Sequence, residues 1–586
     1  MVREHLVRFD VVRWLMDLNR HGRKNTGASV EARTEIGKVM NRTIIRAAVA
    51  AGVVGGLLAT ATVSSAAPSN KNTKTNNNAV AATTTTTTAP AATTTTTTAP
   101  AATGVSGSME SVAGVTGGRD LWACGWNGAG VDVALIDTGV TPVAGTGTIV
   151  NGPDLSFDAQ TGGMPYLDGF GHGTHLASII NGHDPGVSVT GGCRLNPDGT
   201  LGTSPVPAAT GFAGIAPGAR VVNMKVGAVD GAVDVTQVIA AIDWVVQHRN
   251  TNGFNIRVLA LAYGVPSTAD ASHDALAHAV DIARRNGIVV VASAGNDGTT
   301  LTDLAFPAGN PNVIAVGAAD TTGSTTPWNW TVPAFADRGS LIRGVDLIAP
   351  AVNIQGLRVP GSYLDGIAPT TTGDRYLHGS GTSQSAAIVA GLAAQLVQRY
   401  PTASADQIKT MFQRSSTLVK FGFSQWSQGT GVVIADRLVK AAPGTVWGTQ
   451  LATTGDAPIT SDRADSTLTI DGVALTANTD VQRNPWPGAA WAVNATQTSS
   501  WTKGLWNGAR YNGDTATATG WATSAWPTTW AGTAWTTVNG PAGTWDGLRW
   551  NGLRWNGLRW NGLRWNGTTW EGLRWNGLRW NANTWN

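Results

Sequence analysis

The chain has 586 residues, of which only 13% are charged, with 73 glycines and a formal net charge of +3. That length exceeds one ordinary domain, and so small a net charge gives no case for a nucleic-acid partner. The only two cysteines, Cys124 and Cys193, exclude a disulfide scaffold and a Cys-built zinc site. In an oxidising compartment they could form one disulfide; two buried free thiols is the alternative.

Residues 1–39 form a charged leader of mixed sign with no obvious core. Arg42 and Arg46 then precede an apolar run from Ala47 to Val63, and small residues follow from Ser64 to Ala67. That order is the order of a secretory signal over residues 40–67, with Met40 as the true start and 1–39 untranslated. The run is short and Gly-rich for a membrane span, though an uncleaved anchor stays open. Low-complexity sequence with Thr runs broken by Ala-Pro occupies 68–105, cannot form a core and reads as an extended linker or stalk.

From 106 to 443 the texture changes. Apolar β-branched runs (VDVALID, ARVVNMKV, IRVLALAY, IVVVASAG) alternate with helical stretches such as VTQVIAAIDWVVQH. Strands that are apolar throughout are buried on both faces, so the fold class is α/β, a doubly wound and mostly parallel sheet. Residues 444–540 are rich in Thr, Ala and Trp, and 541–586 carry WNGLR pentads.

Sites in a doubly wound sheet form at the C-terminal ends of strands. VDVALIDTGV ends a strand at Asp137, GFGHGTHLASII opens a helix at His172, and GSGTSQSAAIVAGL places Ser383 at the mouth of a long apolar helix. Each alone has a bland reading: a turn Asp, half of a metal pair with His175, an N-cap serine. Together they supply a nucleophile, a base to take its proton and a carboxylate to fix the base's tautomer. Asn296, in IVVVASAGNDG, follows a buried strand and could donate its amide to a developing oxyanion.

These motifs, IDTG at 136–139, GHGTHLAS at 171–178, SAGNDG at 293–298 and GSGTSQSAA at 379–387, resemble those of the subtilisin-like serine proteases, in that family's Asp, His, Ser order. The resemblance covers about 320 residues and implies a sheet of the subtilisin-like type. It implies that Asp137 orients, His172 acts as base and then acid, Ser383 attacks, and Asn296 with the Ser383 N–H forms the oxyanion hole. It gives His175 a structural place.

Substrate would pair as an extended strand with Ala262, Tyr263 and Gly264. Ser293, Ala294 and Gly295, with the region of Ala305 to Pro307, would wall the primary pocket. That pocket would prefer apolar or large residues before the scissile bond, with Asp297 favouring basic ones instead.

The family's usual Pro is Ala387 here, and the Met that often follows the nucleophile is Gln384, which cannot become a sulfoxide. Ala262 replaces a common Ser. Residues 68–105 cannot supply the usual prodomain, which favours folding without one over some other control of activity. The stretch 182–212 reads as an expanded loop near the cleft, which a Cys193–Cys124 bridge would tie back. No cofactor is required; calcium often stabilises the family, but no ligand loop shows here.

Trp545 to Trp585 recur every five residues. Five matches neither helix nor strand period, and Asn-Gly is a turn pair, so the tail reads as β/turn-rich. Its bland role is a spacer; its sharper role is binding cell-wall polymer or glycan through Trp and Arg. The whole chain then reads as a secreted or surface-attached serine endopeptidase acting on protein or peptide. The rival is a surface adhesin with a non-hydrolytic domain.

Overall fold

The computed structural model describes residues 107–510, apart from 161–164, 189–191, 266, 299–302, 368–374, 421–422, 449, 465–467 and 471–472, together with 579–580 and 584–585. The expected leader, signal and linker, and most of the pentad tail, lie outside the described residues.

Asp132–Asp137 (β1), Ile149–Asn151 (β2), Arg220–Lys225 (β3), Ile256–Leu261 (β4), Val289–Ser293, Ile314–Ala319, Leu347–Pro350, Ser416–Thr417 and Val432–Val433 build one nine-stranded sheet. Between β4 and Val289–Ser293 lies the two-residue strand Tyr263–Gly264 (β5), so Val289–Ser293 is β6. Every pairing in the large sheet is parallel except that of Ser416–Thr417 with Val432–Val433 at one edge. From β1 the order runs to β3 and β2 on one side and to β4 and β6 on the other, which puts the switch point of the sheet at β1.

Strand residues alternate between two cores, as the pleat requires. Ala134, Ile136, Val222, Met224, Leu259 and Leu261 face one, while Val133, Leu135, Val221, Val258 and Ala260 face the other. Both cores are closed by helices. The helix His172–Asn181 (α1) packs against the 18-residue helix Thr382–Arg399 (α4) on one face, and Val235–His248 (α2) packs against Ala275–Arg285 (α3) on the other. Each buried Val, Leu or Ile contributes about 1.5–3 kcal/mol, and helix α2 adds a capping box between Asp234 and Gln237.

Packing does not stop at 443. Trp486, Trp491, Trp501 and Trp506 join the core on the α2 side. The Nε1 atoms of Trp491 and Trp506 both donate to Asp243 Oδ2 at 2.8 Å, and Trp501 Nε1 donates to Ala240 O at 2.9 Å. Arg463 reaches the buried Asp234 at the start of α2, Nε to Oδ2 2.6 Å. The last described stretch before the tail, Trp501–Arg510, is a meander of two-residue strands. Its turns, Lys503-Gly504 and Asn507-Gly508, have both central residues at positive φ, the backbone of a type I′ hairpin turn.

Cys124 and Cys193 are joined in a disulfide that closes a loop with a sequence separation of 69. Among the described residues no helix is long and apolar enough to cross a membrane, and no cluster of three His, Cys, Asp or Glu could hold a metal ion.

Candidate active site

Three neighbouring strand ends deliver the site. Ile136 of β1 is in register with Leu261 of β4, and Leu261 with Ala292 of β6. The residues just beyond, Asp137, Ala262 and Ser293, therefore stand side by side. The N-termini of α1 and α4 meet this row.

At β1, both Asp137 oxygens face His172 Nδ1, at 2.8 and 3.0 Å, and Thr138 N donates to Oδ1 at 2.8 Å. The imidazole is the first residue of α1, and Gly171 before it adopts φ 102°, open to glycine. Gly173 must also be glycine: a Cβ there would collide with Gly139 O and lie 3.1 Å from Asp137 Oδ1. The Gly-His-Gly run is thus the sequence that lets a helix start against the Asp137 carboxylate.

Asp168, four residues before His172, holds that start. Its fully buried carboxylate accepts from Gly171 N, Thr174 N and Thr138 Oγ1, each at 2.7 Å. Burial pushes this carboxyl up, against those hydrogen bonds. Below it the buried Lys225 ammonium donates to Thr138 O and Leu167 O and pairs with Asp158 at 2.9 Å. Burial alone would lower Lys225, but Asp158 and Asp154 raise it overall. Sequence reasoning missed both residues. The only signal for Asp168 was an acidic residue just ahead of a helix start, a pattern common in loops.

At α4, Ser383 Oγ donates to Ala262 O at 3.1 Å, so the hydroxyl rests on the carbonyl at the end of β4. Thr382 ties this helix to the neighbouring loop. Its N–H and hydroxyl meet Asn296 Oδ1 at 3.0 and 3.2 Å, and its Oγ1 accepts from Gly295 N at 3.1 Å. With its oxygen so engaged, the Asn296 amide leaves Nδ2 buried and without a hydrogen-bond partner among the described residues. An unpaired buried donor costs about 1–3 kcal/mol, which an incoming anion would recover.

The segment 263–265 packs against 305–306. Gly264 lies against Ala305, and Val265 exchanges both backbone hydrogen bonds with Phe306 at 2.9 Å. Ser293 and Ala294 are fully buried, and Asp297 N donates to Asp337 Oδ1 at 2.7 Å. Tyr263 contributes backbone to the edge while its ring points into the core, where burial, and then Asp274, raise its phenol well above the usual value. Gln384, beside Ser383, is fully buried with neither amide atom paired among the described residues. His175 packs under the strand Ile354–Leu357 (β7) at Gly356; burial, then His172 and His378, hold its imidazole well below the usual value.

A family model described as the subtilase family matches residues 128–435, more than half of the chain. The chain belongs to the subtilase family. This subtilase is 31% identical over 326 residues to serine protease AprX of Bacillus subtilis, covering 53% of this chain and 66% of AprX. It is 30% identical over 313 residues to subtilisin DY of Bacillus licheniformis, covering 53% of this chain and 91% of that protein. To subtilisin BL of Lederbergia lenta it is 28% identical over 297 residues, 50% of this chain and 86% of the relative. Its enzymatic class is accordingly serine endopeptidase.

Proposed function

We propose that this subtilase is an exported endopeptidase that cleaves peptide bonds through an acyl-enzyme on Ser383. The observation that carries the reading is the bidentate approach of Asp137 to His172 Nδ1, one strand from the carbonyl that holds Ser383 Oγ. The Asp–His bond fixes the tautomer that leaves Nε2 as a base. In the first step Ser383 gives its proton to His172 Nε2 and its oxygen bonds the scissile carbon. The carbonyl oxygen takes the electron pair, received by Asn296 Nδ2 and the Ser383 N–H in the first turn of α4. The C–N bond then breaks, and His172 returns the proton to the leaving amine. Water repeats the sequence to release the acid. Substrate would lie along β5, held mainly through its main chain.

Export rests on the Arg42 to Ala67 pattern, and retention on cell-wall polymer or glycan rests on the Trp and Arg of the pentads. Both are expectations from sequence. The decisive experiment is labelling of folded protein with a serine-directed phosphonate, with Ser383→Ala as control. Labelling that the substitution abolishes supports the reading. Folded protein that neither labels nor cleaves peptides would favour a surface adhesin.

A further inference from the structure

Among the described residues the short strand β5 pairs with one strand, which comes from the far end of the chain. Arg579–Trp580 pair antiparallel with it, Arg579 opposite Gly264 and Trp580 opposite Tyr263. A second contact follows at once. Thr584–Trp585 pair antiparallel with the strand Tyr376–Ser380 (β8), Thr584 opposite Ser380 and Trp585 opposite Gly379. β8 already has β7 on its other side, so the tail completes a three-stranded sheet.

The two pairings form one directed pass. The C-terminal segment meets Gly264, then Tyr263, next to the Ala262 carbonyl on which Ser383 rests; it then meets Ser380, three residues before Ser383, and moves away to Gly379. Residues 580 and 584 are four Cα steps apart, at most about 14 Å. The two anchoring points therefore flank the nucleophile at the spacing of a short extended peptide. Ser383 and His172 are each 0% exposed, and Asp137 is 1% exposed. A site open to substrate would leave some of that surface accessible.

We propose that the substrate cleft is a binding site for the chain's own C-terminal segment, which occupies it as an added strand and competes with substrate. This rests on β5 being the substrate edge, as read above. Main-chain pairing gives such an occupant affinity with little demand on side chains. Tethering supplies the rest, since a linked segment acts at an effective concentration of about millimolar. The Leu-Arg-Trp triplet ending at Trp580 also ends at Trp550, Trp555, Trp560, Trp565 and Trp575, so neighbouring repeats carry the same residues. Loss of one copy is thereby partly offset. The pentad tract becomes a run of tethered competitors for the protease's own cleft.

The test uses the full chain carrying Trp580→Pro and Thr584→Pro, which removes two backbone donors from the pass and leaves every residue named in catalysis. A fluorescent peptide of sequence GLRWNANTWN is titrated into wild type and variant, with anisotropy as readout. The variant is expected to bind it about 2- to 10-fold more tightly than wild type, the relief given by removing a weak tethered competitor. Equal binding, or no binding to either protein, overturns the proposal. Phosphonate labelling of both proteins runs alongside. Absent labelling in both would overturn the assignment of Ser383 as nucleophile, while occupancy of the cleft is decided by the peptide alone.

Discussion

Asn296→Ala tests the oxyanion assignment at its most exposed point. The wild-type amide has one atom committed, Oδ1 to Thr382, and one buried donor unused, Nδ2. The substitution removes both, with different readouts. Loss of a donor aimed at the developing charge is expected to cost about 3–4 kcal/mol of barrier, a fall of roughly 10²–10³ in kcat. KM should hardly move, because the ground-state carbonyl asks little of that donor. Loss of the Oδ1 contacts should cost about 1 kcal/mol of stability. Thr382→Val separates the two effects. It keeps the amide but removes the hydroxyl that meets Oδ1 and accepts from Gly295 N, so it should lower kcat by about tenfold, the size of a misplaced rather than missing donor. Steady-state kinetics on a peptide anilide, with thermal unfolding of each variant, provides the measurement. A rise in KM at constant kcat for Asn296→Ala would show that the amide binds substrate instead of the transition state, and the assignment would fall.

Asp243 accepts two indole donors in a buried site, and burial raises its carboxyl to about 6 despite the hydrogen bonds from Trp506 and Trp491. The folded value lies above the unfolded one, so its stabilising contribution is full below about pH 4 and is lost as pH rises through about 6. Asp243→Asn keeps an acceptor without the charge, and its stability relative to wild type should improve by up to about 3 kcal/mol between pH 4 and 7.5; a pH-independent difference in denaturant unfolding would contradict this. Gln384→Met removes two unpaired buried amide atoms at nearly constant volume and should stabilise by about 1–3 kcal/mol. The same variant should lose activity in peroxide faster than wild type, and equal inactivation rates would count against a side chain next to the nucleophile. Reducing the Cys124–Cys193 bridge should cost about 4 kcal/mol, the chain-entropy value for a loop of that length; unchanged thermal unfolding under reductant would refute it.

The residues that the fold brings together at the strand ends were legible because each sits where a pattern changes. Asp137 ends an apolar run, while His172 and Ser383 begin helices behind glycines. Asn296 was legible for the same reason. Asp168 and Lys225 were not, since nothing in a linear pattern shows that a loop carboxylate folds back under a helix start or that a strand lysine is buried. Thr382 drew no attention in the sequence, and only the fold reveals that it holds the Asn296 amide. The Thr-, Ala- and Trp-rich stretch after 443 carries no helix or strand period, so the packing of Trp491, Trp501 and Trp506 on α2 came only with the coordinates. The pairing of Arg579 with Gly264 spans more than 300 residues of sequence, beyond the reach of any local signal.

The Cys124–Cys193 bridge has a consequence for survival among proteases, including copies of this one. Asp137 and His172 both lie inside the loop it closes. A single cut anywhere between the two cysteines, such as at the exposed Pro185 and Gly186, leaves both pieces covalently joined. Nicked molecules would keep Asp137 and His172 on one connected body, and the damage would be visible only after reduction. For an enzyme exposed to other proteases, the bridge turns a chain break in this loop from an inactivating event into a silent one.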